Sequence, residues 1–390
     1  MIFNTFSYFL LFLIPGAVGF RLLPPALRPW WIAAIGALFF VYYSVTELAG
    51  WIGAACLLLF LWESILSRLY SPASRWCLTG VAVALVSLGV FKYWNFFVGL
   101  ATSADKNHPW HWDGQFLPLG ISFFTFEFIH YAVDRWKGRA ERGTLGEYFA
   151  FILFFPTMVA GPIKRFQDFL PNLRAPSADW AGDWRVGTTR ILCGLAKKFA
   201  VADLLTAFTD HLNAADIATA QRWVLPIWLL AYGMKIYADF SAYSDIAIGS
   251  ARLFGLKVPE NFDWPYLQTS ISGFWRHWHI SLGKWLTDYV FIPLGGSRNG
   301  LAATCGSLLV TMMVSGLWHG AGLNFVVWGA WHGGLLVLQR CWASLFPGES
   351  GPLGRGLGWI ATFSAVNLGW AFFCMDLPTS MLFLRRLFLG

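Results

Sequence analysis

Four of the eight histidines, His277, His279, His319 and His332, fall in the last third of the chain, each beside a tryptophan in "RHWHIS", "GLWHGAG" or "GAWHGG". Imidazole is the side chain that ionises nearest neutral pH, and without an obvious covalent partner it suits general base catalysis on an external hydroxyl or thiol. The stretch "MMVSGLWHGAGLNF", 312 to 325, otherwise suits lipid. An ionisable residue inside a bilayer is costly, so His319 reads as functional. Other chemistries fit less well. HExxH and GxSxG are absent, which argues against a zincin or a serine elbow. Two residues apart on one helix, His277 and His279 face different sides and cannot chelate together. A zinc site drawn from three separate helices is the less favoured alternative. Cys56, Cys77, Cys193, Cys305, Cys341 and Cys374 show no CxxC spacing; packing roles are expected, with neither disulfides nor a thiolate metal site.

Further polar residues have two readings each. Glu127 and His130 lie three apart in an apolar segment and could simply pair with each other, or act. In "YADFSAYSDIAIG", 237 to 249, helical spacing brings Asp239 near Tyr243 and Ser241 near Asp245. A self-satisfied network is expected there, with a cation site or proton path as the alternative. His108, His111 and His211 read as solvated loop residues.

The elements that position these groups are membrane helices. Of 390 residues, 57% are apolar and only 13% charged, against the roughly 25% charged of a soluble domain. Mean hydropathy is +0.54. Spans are expected over 2 to 20, 30 to 46, 47 to 62, 76 to 100, 117 to 133, 189 to 209, 223 to 250, 301 to 318, 322 to 340 and 357 to 375. Alternating strands of a barrel are not seen. The first twenty residues lack a basic leader and a small-residue cleavage site, so they read as a retained helix. The net charge of +7 is a matter of topology, not a nucleic-acid footprint. Eleven Lys or Arg between 134 and 198 make that block cytoplasmic by the positive-inside rule and place the N-terminus outside. The apolar segment 148 to 165 has both ends in this block and contains Pro156 and Pro162, which predicts a re-entrant segment and a cavity to satisfy its backbone. Residues 271 to 296 read as one amphipathic helix, lying on the membrane surface or lining that cavity.

With these residues in view, the chain resembles the membrane-bound O-acyltransferase family, in particular its bacterial alginate O-acetyltransferase-like branch. The resemblance rests on "LPLGISFFTFEFIHYAVD", "FFPTMVAGPIKR", "YADFSAYSDIAIGSARLFG", "PENFDWPY", "SISGFWRHWHISLGKWLTDYVFIPLGG" and "SGLWHGAGLNFVVWGAWHG", in that order over about 117 to 335. It implies a single all-α polytopic membrane domain over 1 to 390, a ring of about eleven helices with re-entrant segments and a central funnel. It also implies that His319 is catalytic and that His279 lies in the same centre. Trp318 would wall the pocket, while Gly316, Gly320 and Gly322 would let the backbone bend for a bulky donor. Asn324, the Trp318 indole and backbone N–H groups near Gly320 are candidate oxyanion donors, and Arg276, Asp239 and Tyr243 are candidate substrate-binding residues. His277 stands where relatives commonly have arginine, His130 where a small polar residue is usual, and Cys374 where arginine is frequent. The chain ends at Gly390, before the C-terminal extension of many relatives.

The resemblance implies acetyl transfer from a cytoplasmic thioester, acetyl-CoA, with no bound cofactor or metal. The acceptor would be an exported polysaccharide or a periplasmic relay protein, in the bacterial inner membrane, with a periplasmic polysaccharide-acetylating partner. Alternatives are D-alanyl or other acyl transfer to teichoic acid or peptidoglycan from a carrier protein, and a transporter or flippase in which His319 and Asp239 relay protons.

Overall fold

The computed structural model describes residues 2–44, 75–103, 108–113, 117–346, 348 and 351–390, so the span expected over 47 to 62 lies outside the described residues. Among the described residues the only strand-like pairing is an isolated antiparallel bridge between Phe262 and Trp278; the rest is helix and loop. The chain divides into two compact units, Met1–Leu195 with Tyr243–Pro259, and Ala196–Ala242 with Glu260–Gly390.

The first unit contains α1 (Ile14–Leu22), α2 (Arg28–Ser44), α3 (Thr79–Leu88), α4 (Trp94–Ala101), α5 (Ile121–Trp136), α6 (Leu145–Ile152), α7 (Phe155–Met158), α8 (Phe166–Arg174) and most of α9 (Trp180–Lys197). Its core is built from aromatic rings meeting edge to face. Phe3 meets Tyr8 at 4.7 Å and Tyr243 at 4.6 Å between centroids, the geometry favoured by ring quadrupoles. Gly36 lets α2 and α6 touch backbone to backbone, because a Cβ there would overlap the Leu153 carbonyl oxygen.

The segment 148 to 165 is broken as its prolines and position suggest. It yields α6 and α7, of eight and four residues, against the roughly 20 a bilayer crossing needs. A capping box starts α6, with the Thr144 hydroxyl and the Glu147 carboxylate each accepting from the other's backbone N–H. The Arg174 guanidinium beside Glu147, at 2.6 Å, holds that carboxyl below the usual carboxylate range.

Polar side chains in this unit choose partners other than those expected. Glu127 pairs with Lys164, both buried, and not with His130. His130 accepts the Phe166 backbone N–H at Nε2, 2.8 Å, which leaves its proton on Nδ1, facing Asp134 at 3.2 Å. Lys164 and Arg135, counted in the cytoplasmic basic block, are interior groups; Arg135 donates to the Ala140 carbonyl. Asp183, also buried, takes Arg21 at 2.7 Å and Arg252 at 2.8 Å.

The second unit contains α10 (Thr206–Thr209), α11 (Ala214–Thr219), the first part of α12 (Leu225–Leu253), α13 (Ile271–His277), α14 (Ile280–Leu286), α15 (Gly300–His319), α16 (Leu323–Leu345), α17 (Pro352–Cys374) and α18 (Leu377–Phe388). Its core joins Leu225 and Leu229 to Ile271, Phe274, Trp278, Trp328, Val366, Trp370 and Phe383. Three described helices are long and apolar enough to cross a membrane: Thr79–Ala101, Gly300–His319 and Pro352–Cys374. The thiols of Cys305 and Cys341, on α15 and α16, approach to 4.0 Å and are free.

The single helix expected over 271 to 296 is corrected. It stops at His277, resumes at Ile280 and ends in a π turn over Thr287–Phe291. At the break Trp278 is extended and His279 is left-handed, with φ of +45°. The segment from Asn261 to Asp263 takes over the backbone bonds: Asp263 N–H donates to the His277 carbonyl at 3.1 Å, and Ile280 N–H to the Asn261 carbonyl at 2.9 Å. A tertiary ladder thus replaces helix bonds where the chain carries its histidines.

Candidate active site

His319 is the last residue of α15, half-buried, before the extended Gly320. Its ring packs near those of Trp318 (4.7 Å between centroids), Phe373 (5.0 Å) and Trp328 (5.2 Å). His279, from the break between α13 and α14, is buried and meets Phe240 at 4.8 Å and Trp318 at 6.2 Å. The two imidazoles, forty residues apart in sequence, therefore share the Trp318 indole as a neighbour. The helix break makes this possible, because it releases His279 from the face that an unbroken helix would assign it.

The glycines around His319 act through packing. Gly320 and Gly322 have φ of −162° and −158°, extended values open to any residue, so backbone bending is not what they supply. A Cβ on Gly316 would overlap the Phe325 carbonyl oxygen and one on Gly320 the Phe325 ring. Lacking side chains, they let the start of α16 fold back against the end of α15 and hold His319 against the aromatic wall.

His279 is held by Asn261, which is itself buried. The Asn261 side-chain oxygen lies 3.2 Å from His279 Nδ1 and also accepts the Ser281 hydroxyl at 2.6 Å and the Ser281 backbone N–H at 3.3 Å. His279 Nε2 is buried with no hydrogen-bond partner among the described residues. His332 is fully buried too, edge-on to Trp328 at 4.9 Å and Trp275 at 5.0 Å, and neither ring nitrogen has a hydrogen-bond partner among the described residues. It backs the wall that His319 touches. His277 turns its Nδ1 to the Gly273 carbonyl at 2.8 Å, a bond within its own helix.

Other sequence candidates have contacts of their own. Asp239 is bound by Lys198 at 2.9 Å, and Lys198 also holds Asp203 at 2.8 Å. Tyr243 belongs to the first unit, where its hydroxyl accepts the Ala160 N–H at 3.1 Å. Asp245 faces Arg190 at 2.8 Å. The self-contained network expected along α12 is thus replaced by bonds to other segments, since i,i+4 neighbours on a helix gain only a few tenths of a kcal/mol from pairing with each other. Arg276 is exposed on α13, and no ion pair or hydrogen bond ties it to His279 or His319 among the described residues. Asn324 donates its amide to the Phe372 carbonyl at 3.1 Å, a bond that competes with an oxyanion role. Sequence reasoning did not single out Asn261, Ser281, Phe240 or Phe373. Asn261 lies within "PENFDWPY", but nothing in its spacing announced a histidine partner eighteen positions later.

A sequence model of the membrane-bound O-acyltransferase family matches residues 137–374, a stretch that includes both histidines, Asn261 and Trp318. The probable alginate O-acetylase AlgI of Pseudomonas aeruginosa is 41% identical over 77% of this chain and 58% of its own length. The chain therefore spans somewhat under two thirds of that relative. The peptidoglycan O-acetyltransferase of Helicobacter pylori is 30% identical over 96% of this chain and 77% of its own. The teichoic acid D-alanyltransferase of Streptococcus thermophilus is 30% identical over 65% of this chain and 68% of its own. With a family match through most of its length and relatives of this similarity, the chain belongs to the membrane-bound O-acyltransferase family.

Proposed function

We propose that this protein moves an acetyl group from a cytoplasmic thioester donor, acetyl-CoA, to a hydroxyl of an exported polysaccharide or of a periplasmic relay protein. The observation that carries this reading is that His279 and His319 share the Trp318 indole inside the family-matched region. His319 takes the proton of the acceptor hydroxyl as its oxygen attacks the thioester carbonyl; the C–S bond then breaks, and the departing thiolate takes up that proton. His279 orients the acceptor. Neither step calls for a metal or a bound cofactor. The similarity to alginate and peptidoglycan acetylating proteins supports acetyl as the group moved.

Purified protein in lipid nanodiscs, given labelled acetyl-CoA and a soluble hydroxyl acceptor, is expected to transfer label. Transfer from a D-alanyl carrier protein and not from acetyl-CoA would instead favour the second reading, which the 30% identity to a teichoic acid D-alanyltransferase supports. The protein is further proposed to lie in the bacterial inner membrane with its N-terminus outside, working with a periplasmic acetylating partner. A reporter active only in the periplasm, fused to the N-terminus, is expected to be active; one active only in the cytoplasm is expected to be silent there.

A further inference from the structure

His279 leaves its tautomer legible. The Asn261 side-chain atom that faces it also faces the Ser281 backbone N–H, 3.3 Å away. A backbone N–H can only donate, so that atom is the carboxamide oxygen, and an oxygen of this kind can only accept. The hydrogen between Asn261 and His279 therefore sits on Nδ1, 3.2 Å from the oxygen. A neutral imidazole carries one N–H. Nε2 is then left with its lone pair, buried and without a partner among the described residues.

The holding is strong for a single side chain. Asn261 is fully buried, its oxygen takes three hydrogens, and its backbone carbonyl takes a fourth from Ile280. Among the described residues, the groups shown facing the ring are Phe240 from α12, Trp318 from α15, Asn261 and Ser281. None of these is charged; the titratable His319 is reached through Trp318. His279 is also one of three described non-glycine residues with positive φ, a conformation that persists only where its surroundings impose it.

We infer that Asn261 is a positioning residue for acyl transfer: it selects the Nδ1–H tautomer of His279, so that Nε2 can accept a hydrogen bond but not give one. On the acyl-transfer reading, on which this inference rests, His279 therefore holds a hydrogen-bond donor of the acceptor other than the reacting hydroxyl, whose one proton goes to His319. It does not donate to the thioester oxygen, and oxyanion stabilisation falls to other groups.

The test compares Asn261→Leu, which keeps the volume and removes the acceptor oxygen, with Asn261→Asp, which keeps that oxygen and adds a charge. Both are measured in nanodiscs with acetyl-CoA and a hydroxyl acceptor across pH. Asn261→Leu is expected to lose about 100-fold or more in kcat with little change in KM for acetyl-CoA, the lower end of what a positioned acid–base group contributes. Asn261→Asp is expected to recover much of that rate at high pH, with the acid limb of its profile moved up by about one unit, because a carboxylate favours the imidazolium. Folded Asn261→Leu within threefold of wild type, or Asn261→Asp with an unmoved acid limb, overturns the role. Nitrogen-15 NMR of histidine-labelled wild type reads the tautomer without any reaction, with His279→Gln assigning the signal. A hydrogen-bearing Nδ1 and a bare Nε2 are expected, and the reverse overturns the inference even if the enzyme is active. A wild type that transfers from no thioester overturns the acyl-transfer reading and the positioning role with it, while the spectrum still decides the tautomer.

Discussion

His319→Ala protein, inserted and folded like wild type, is expected to transfer acyl groups about 10²–10⁴-fold more slowly, the range that a positioned acid or base contributes. The loss is expected in kcat. An imidazole that takes a proton in the transition state contributes little to holding the donor in the ground state, so the KM for the thioester should move by no more than a few fold. Steady-state rates in nanodiscs at saturating donor check this, with melting temperature as the control for folding. His319 closes α15, with its ring packed near those of Trp318, Phe373 and Trp328, so the melting temperature separates a loss of chemistry from a loss of packing. A variant with undiminished kcat would remove His319 from the chemistry.

Lys164→Met is expected to destabilise the first unit by about 3–5 kcal/mol, since it leaves the buried Glu127 carboxylate without its counter-charge. Lys164 and Glu127 are 2% and 6% exposed at their side chains, so water cannot take over the lost interaction. The lysine also tops the rings of Phe151 and Phe169, at 4.6 and 5.8 Å, tying the residues after the short α7 to α5, α6 and α8. The pair Lys164→Met with Glu127→Leu is expected to be much milder than the single change, because two apolar groups replace two charges that were costly to bury. Thermal unfolding of the three proteins in one detergent checks both statements. Equal melting temperatures for wild type and Lys164→Met would show that the pair contributes nothing to the fold.

The difference between the two predictions marks what a sequence can say. His319 stands out as a candidate functional residue from its neighbours alone, because a titratable ring in an apolar run is costly wherever the helix goes. Lys164 counts among the basic residues that mark 134 to 198 as cytoplasmic, and the structure places it inside the first unit. Charge counting cannot tell a snorkelling lysine from a buried one; only the arrival of Glu127 from another helix decides it.

The sequence by itself determined the solvent of the protein, its all-helical class and which histidines are candidates for chemistry, since each follows from local composition and from the cost of a polar group in lipid. It also predicts the break within 148 to 165, because proline acts within a few residues. Tertiary structure alone decided the break at Trp278 and His279. The periodicity of 271 to 296 favours a continuous helix, and the ladder with Asn261 to Asp263 overrides it by offering the same backbone groups other partners. The partners of His130, Asp239 and Asp245 were settled in the same way. A buried polar group takes whichever complementary group packing brings within reach, and that choice is written in the contacts between segments, where no pattern along a single one can record it.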